Sequence, residues 1–310
     1  MSDIILHHYP ASPFAEKARI LLGATKLSWK SVTIPNVMPK PDVVALTGGY
    51  RKTPILQIGA DIYCDTALIA KKLDQLSDEA TLYPRENAFT LESVATWADS
   101  ILFPISVALV FQPQALAQKF AGVPEKMIQA FVADRAALRK NGVQRKISAD
   151  EARAVYATYL RKFENQLADG RKYLFGNNLT IADFSVYHPM WFVNGVQVLQ
   201  EIFKPFPNVL QWLQRMKEIG HGVSSEISSA DAISIANAAK TIVSPGGSDL
   251  EGIAVGDEVE VTPADYGMDI VAGKLLLSNE EEMVVQRVDE RAGAVAVHFP
   301  RFCYFAKKAQ

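Results

Sequence analysis

The sequence predicts three parts in order: a small α/β domain, an all-helical domain and a small all-β module. Three observations carry this reading. Strand-like and helix-like runs alternate up to about residue 77, helical patterning with strong helix-entry signals runs from 87 to 240, and alternating or apolar strand runs separated by turns occupy 251–310. Between the last two parts, the stretch TIVSPGGSDLEG at 241–252 is rich in Gly, Ser and Pro, which favour turns and linkers. The chain has 310 residues, 49% apolar and 21% charged, as an ordinary globular protein of two or three domains does.

The α/β part opens with an apolar strand at Ile4–Leu6 and a helix from Pro13, where Phe14, Ala18, Leu21 and Leu22 fall on one face. A β-branched strand follows near Trp29–Ile34. Two further strands, Pro54–Ile58 and Asp61–Cys64, flank a tight Gly59-Ala60-Asp61 turn, and Asp65-Thr66 begins a helix that continues through Ala67, Leu68, Ile69 and Leu73. In the helical part, Ser148-Ala149-Asp150-Glu151 has capping-box spacing. Thr180-Ile181-Ala182-Asp183 repeats it with Asp at the third position, and Leu179 and Phe184 stand where a hydrophobic staple packs. The last part carries strands at Glu258–Val261, Leu275–Leu277, Met283–Val285 and Ala294–Phe299. Turns fall at Asp265-Tyr266-Gly267 and Arg291-Ala292-Gly293, as in a small barrel or curled sheet. So short a segment buries too little surface to be stable alone, so it is expected to dock on the helical domain. The rival arrangement is an independent module on a flexible linker.

Several function classes are excluded. With 32 basic and 34 acidic residues there is no cationic excess for nucleic acid. The two cysteines, Cys64 and Cys303, lie far apart, so neither a disulfide framework nor a thiol-rich metal site is expected, and a reducing compartment is. The start MSDIILHHYP lacks the features of a signal peptide, and the apolar stretch Ile101–Phe111 is too short to span a bilayer and contains Pro104. A cytoplasmic protein without membrane partners is expected, so the acceptor pattern Asn178-Leu179-Thr180 carries no meaning. Nucleotide-binding glycine loops and a nucleophile elbow are missing. Adjacent His7 and His8 on a strand point to opposite faces, so they do not converge on a metal, and one packed and one solvated histidine are expected.

The informative segment is Tyr9-Pro10-Ala11-Ser12-Pro13-Phe14-Ala15-Glu16-Lys17-Ala18-Arg19, followed by Lys52-Thr53-Pro54-Ile55-Leu56 and Cys64-Asp65-Thr66-Ala67-Leu68-Ile69. In this order and spacing they resemble the glutathione transferase family over residues 1 to roughly 220. That resemblance implies a thioredoxin-like domain, then an all-helical domain with its entry box at Leu179–Asp183. Leu46-Thr47-Gly48-Gly49-Tyr50-Arg51 and the terminal β module further resemble a bacterial and fungal branch of the serine type. The implied activity is activation of the glutathione thiol, as cosubstrate, for attack on a small apolar electrophile. A homodimer is implied as well.

The resemblance implies Ser12 as the thiol-activating group, with Tyr9 as an alternative hydroxyl. Lowering a thiol pKa of ~8.5 by about two units needs roughly 2.7 kcal/mol of anion stabilisation. A helix terminus supplies about 0.3–1 kcal/mol and a hydroxyl hydrogen bond to an anion roughly 1.5–3 kcal/mol, so the hydroxyl is the larger contribution. The competing reading of Ser12 is a plain helix N-cap. By the same resemblance, Thr53-Pro54 forms a cis-proline turn that binds glutathione through the Thr53 backbone. Lys52 and Arg51 either pair with the glycyl carboxylate or are solvated loop charges. Asp65 and Thr66 stand where the family has Glu or Gln followed by Ser at the γ-glutamyl end, and the shorter Asp65 either reaches the ligand or only caps its helix. Cys64 reads as a buried, inert thiol. Trp97, Phe103 and Phe111 are candidates for the electrophile pocket or ordinary core. The alternative function is a non-catalytic glutathione-binding or interaction scaffold that uses the β module as its recognition surface.

Overall fold

A computed structural model describes residues 2–79, 81–142, 147–247 and 252–309. The chain opens with β1 (Ile4–His8), α1 (Pro13–Ala24), β2 (Trp29–Thr33), α2 (Pro41–Thr47), β3 (Ile55–Ile58), β4 (Asp61–Cys64) and α3 (Thr66–Leu76). β1 pairs parallel with β2 and antiparallel with β3, and β3 pairs antiparallel with β4. This is a thioredoxin-like arrangement. Ser12 caps α1 and Pro13 occupies its first turn, where no N–H is needed. The expected stripe is buried at Ala18, Leu21 and Leu22, with Phe14 half-buried. Glu16, Lys17 and Arg19 are buried as well, because the helical domain covers the other side of α1. Gly23 marks how close the chain comes there: a Cβ on it would stand 2.2 Å from the Gly220 carbonyl oxygen.

The helical domain runs through α4 (Ala88–Trp97), a π-helical turn at Ala98–Leu102, α5 (Phe103–Val110), α6 (Pro113–Lys119), α7 (Glu125–Arg139), α8 (Ala149–Leu167), α9 (Ile181–Asn194) and α10 (Pro207–Glu218). The α9 entry is held by Asp183, which accepts hydrogen bonds from the Thr180 N–H at 3.1 Å, the Thr180 hydroxyl at 3.0 Å, the Leu174 N–H at 2.8 Å and Trp212 Nε1 at 3.2 Å. Pro104 does not interrupt the apolar stretch Ile101–Phe111. It sits in the first turn of α5, just after the π turn, so Ala88–Val110 is one helical run, the one helix among the described residues long and apolar enough to cross a membrane by length and composition.

After α10 the chain adds β5 (Ser224–Glu226), α11 (Ser229–Ala238), β6 (Gly246–Gly247), β7 (Glu258–Pro263), β8 (Val271–Ser278), β9 (Glu282–Asp289), β10 (Gly293–Pro300) and β11 (Tyr304–Lys308). Residues 248–251 of the expected linker lie outside the described residues. The terminal strands join the sheet of the first domain, and the module meets the helical domain, on which docking was expected from sequence, where the Gly267 N–H donates to the Leu138 carbonyl of α7 at 2.9 Å. β10 pairs parallel with β4, so the sheet runs on from the first domain in the order β11-β7-β8-β9-β10-β4-β3-β1-β2-β5. A shared core explains the choice. Ile5, Val32, Ile55 and Ile62 of the first domain form one apolar cluster with Val259, Val261, Val285, Val297 and Phe299 of the module. Full burial of each such side chain contributes about 1.5–3 kcal/mol, which a separate sheet of this length would lack. At the seam, His298 on β10 lies between two carboxylates: Nε2 to Asp61 Oδ1 is 3.0 Å and Nδ1 to Glu282 Oε2 is 2.8 Å.

Candidate active site

The turn between β1 and α1 is held from below. The buried Arg19 guanidinium donates to the carbonyls of Tyr9 and Pro10 and to Glu16, whose carboxylate also meets His221. It also donates to His8 Nδ1 at 3.0 Å. Burial, reinforced by the Arg19 charge, pushes the His8 pKa down to about 4, and burial takes that of His7 to about 4. Both histidines are packed, 1% and 6% exposed, which corrects the expectation that one would be solvated. On this support Ser12 is buried, and its Oγ accepts the Ala15 N–H at 3.2 Å. That cap uses a lone pair. The hydroxyl proton has no acceptor among the described residues and remains available for donation.

Contacts lead from this turn to the second motif. Lys40, 5% exposed, lies 5.7 Å from the Tyr9 ring centroid and donates to Thr53 Oγ1 at 3.2 Å. The Thr53–Pro54 bond is cis, and neither the Thr53 N–H nor its C=O has a hydrogen-bond partner among the described residues. α7 closes over this region. Asp134 bridges Arg51 at 2.8 Å and Arg135 at 2.7 Å, and Arg135 also donates to the Tyr9 hydroxyl at 3.2 Å. Two cations thus share one carboxylate. Lys40 has no carboxylate of its own among the described residues; burial, with the repulsion of Arg135 and Arg51 against the pull of Asp134, brings its pKa down to about 8. Arg51 and Lys52 are not solvated loop charges. Lys52 pairs with Asp265 of the terminal module at 2.6 Å and lies 4.4 Å from the Tyr266 ring centroid.

The third motif joins the same cluster. Asp65 has a positive φ of 74°, which Asp tolerates better than most residues, and its Oδ1 caps α3 by accepting the Ala67 N–H at 2.9 Å. Its Oδ2 accepts the Tyr304 hydroxyl at 2.9 Å. Thr66 is buried at the start of α3. Cys64 beneath is fully buried, and burial pushes its thiol pKa well up, so it is inert. Of the aromatic candidates, Phe103 meets Phe14 at 4.6 Å, Phe111 stacks on Phe131, which carries Arg135 on its face, and Trp97 packs on Tyr159 in the helical core. A cavity of about 580 Å³ lined by Arg153, Arg161, Glu164 and Phe206 shares no residue with this cluster.

Two family patterns match the chain: the glutathione S-transferase N-terminal domain over residues 6–81 and the C-terminal domain over residues 146–215. The crystal structure of a GST-like protein from Pseudomonas syringae is 42% identical, is covered over 100% of both chains and superposes with a TM-score of 0.83. The chain belongs to the glutathione S-transferase family. More distant members share the fold: a glutathione S-transferase from Rhodospirillum rubrum at 19% identity (69% of this chain, 87% of that one, TM-score 0.50), and glutathione transferase F2 from Populus trichocarpa at 16% (70% and 96%, TM-score 0.52). No curated protein matches. The shares covered differ for a structural reason. The distant transferases cover about seven-tenths of the chain, whereas the Pseudomonas protein extends over the terminal module as well.

Sequence reading missed the residues that reach this cluster from a distance: Lys40, Asp134, Arg135, Asp265, Tyr266 and Tyr304. Asp265-Tyr266-Gly267 was legible only as a turn, and Lys40 carries no local signal beyond the prolines on either side of it.

Proposed function

We propose that the chain is a serine-type glutathione transferase that activates the glutathione thiol for attack on a small apolar electrophile. The observation that carries this reading is the free hydroxyl proton of Ser12 above a capped helix start. Donated to a bound sulfur, it stabilises the thiolate by roughly 1.5–3 kcal/mol, with about 0.3–1 kcal/mol more from the α1 terminus. The unpaired N–H of Thr53, before Pro54, donates to the cysteinyl backbone of glutathione and its C=O accepts from it, as with an added strand. Lys40 and Lys52 flank that strand for the glycyl carboxylate, and the helix start at Asp65 and Thr66 takes the γ-glutamyl end. The thiolate then uses its electron pair to form the S–C bond, and the displaced pair passes to the electrophile or its leaving group. Phe14, Phe103 and Phe111 supply apolar surface for that second substrate.

In this reading residues 1–77 bind glutathione, 87–240 shape the electrophile pocket and 251–310 close the site. The protein is cytoplasmic, with neither nucleic acid nor membrane as partner. It is a homodimer: an 18-residue stretch of the run Ala88–Val110 is only 39% buried, and Phe89 and Ile101 on the run are 87% and 48% exposed, as an apolar face for a second copy requires. A non-catalytic scaffold is the second reading, favoured by Phe302 and Phe305 of the module, 71% and 66% exposed.

An ultraviolet thiolate titration of bound glutathione separates them. The wild-type protein lowers the bound thiol pKa by about two units, and Ser12→Ala returns it by one unit or more. Glutathione bound with an unshifted thiol supports the scaffold. An unchanged titration in a Ser12→Ala variant that still binds glutathione removes Ser12 from the mechanism and turns attention to Tyr9.

A further inference from the structure

We infer that the terminal β module completes the γ-glutamyl subsite, with Tyr304 as the positioning residue for Asp65. This rests on the glutathione reading above. Tyr304 is 2% exposed and its single hydroxyl proton goes to Asp65 Oδ2 at 2.9 Å. Its oxygen therefore accepts from Tyr50, 2% exposed and 2.9 Å away, giving a buried relay from Tyr50 through Tyr304 to Asp65.

The carboxylate at the end of the relay is only half-buried, and no cation lies within ion-pair distance of it among the described residues. Each of its oxygens holds one hydrogen bond and keeps lone-pair capacity, so an ammonium group on the ligand can add without displacing a protein donor. Asp is one methylene shorter than Glu, so its direction is set by whatever grips its outer oxygen. The Ala67 N–H fixes Oδ1, and Tyr304, placed there by the pairing of β11 with β7, fixes Oδ2. The same module brings Asp265 to Lys52, so the cation next to Thr53 is held from the same side. A module that only stiffened the sheet would need none of these contacts.

The test measures binding of S-methylglutathione and of S-methylcysteinylglycine, which lacks the γ-glutamyl group, by calorimetry. Tyr304→Phe keeps the ring and removes the proton donor. Its Kd for S-methylglutathione rises about tenfold (about 1.4 kcal/mol) while that for S-methylcysteinylglycine stays within twofold. Tyr50→Phe removes the donor one step back in the relay but keeps the Tyr304 hydroxyl on Asp65, so it raises the Kd for S-methylglutathione by less than Tyr304→Phe does and leaves that for S-methylcysteinylglycine within twofold. Equal weakening of both ligands in Tyr304→Phe, or no weakening of either, overturns the inference. Wild-type protein that binds neither ligand overturns the glutathione reading and this inference together, and is told apart because the failure precedes any substitution.

Discussion

His298 ties the module to the first domain, and replacing it with Gln tests that seam. In the wild-type protein the imidazole is 2% exposed and hydrogen-bonded to both Asp61, itself 0% exposed, and Glu282. Burial pulls the His298 pKa down, but hydrogen bonds and charge from the two carboxylates outweigh it and the net direction is up. Removing the cation leaves Asp61 with the Ile242 N–H as its remaining donor among the described residues. Breaking a buried pair from one side costs about 3–5 kcal/mol. For 310 residues, an unfolding entropy of about 2.1 cal/mol/K per residue converts this to a Tm loss of about 5–8 °C. The pH dependence has a definite sign. Because the folded pKa lies above the unfolded value of ~6.5, the charged form's stabilisation is fully present below about pH 6.5 and is lost as pH rises through the folded value. Each pH unit between the two midpoints is worth about 1.4 kcal/mol. Thermal melts of wild type and His298→Gln at pH 6 and pH 9, compared as differences so that other titrations cancel, give a gap that narrows at pH 9. A gap that is constant, or widens, refutes the assignment of a protonated His298 to the seam.

Two further outcomes are expected. Asp183→Asn leaves at most one acceptor facing four donors, so it destabilises by at least about 3 kcal/mol and lowers Tm by about 5 °C, measured by calorimetry; a change under about 1 °C contradicts that account. Light scattering at micromolar concentration gives twice the chain mass of 34.1 kDa, and Phe89→Asp shifts it to the single-chain mass; a monomeric wild-type protein contradicts the apolar-face argument.

Local chemistry was legible without any structure. Ser12 before Pro13, Asp65 before Thr66 and Thr180 with Asp183 mark helix starts because the groups that satisfy the first free N–H donors stand within three residues of them. The strands through Cys64 followed from apolar and β-branched runs, and those from Glu258 onward from apolar runs and alternation, which are equally local signals. α2 and β11 lacked so clear a pattern and went unread. What only the tertiary structure decided was where the terminal strands go. A strand edge such as β4 offers its hydrogen bonds to any suitable partner, and period-two alternation states which face is apolar but not which edge it joins. The β4–β10 pairing goes with the core shared between the first domain and the module. From that pairing follow the contacts that shape the site across the length of the chain: Tyr304 on Asp65, 239 positions away, and Asp265 on Lys52, 213 positions away. Side chains so far apart in sequence leave no trace in local spacing, because only the packed sheet brings them within hydrogen-bond reach.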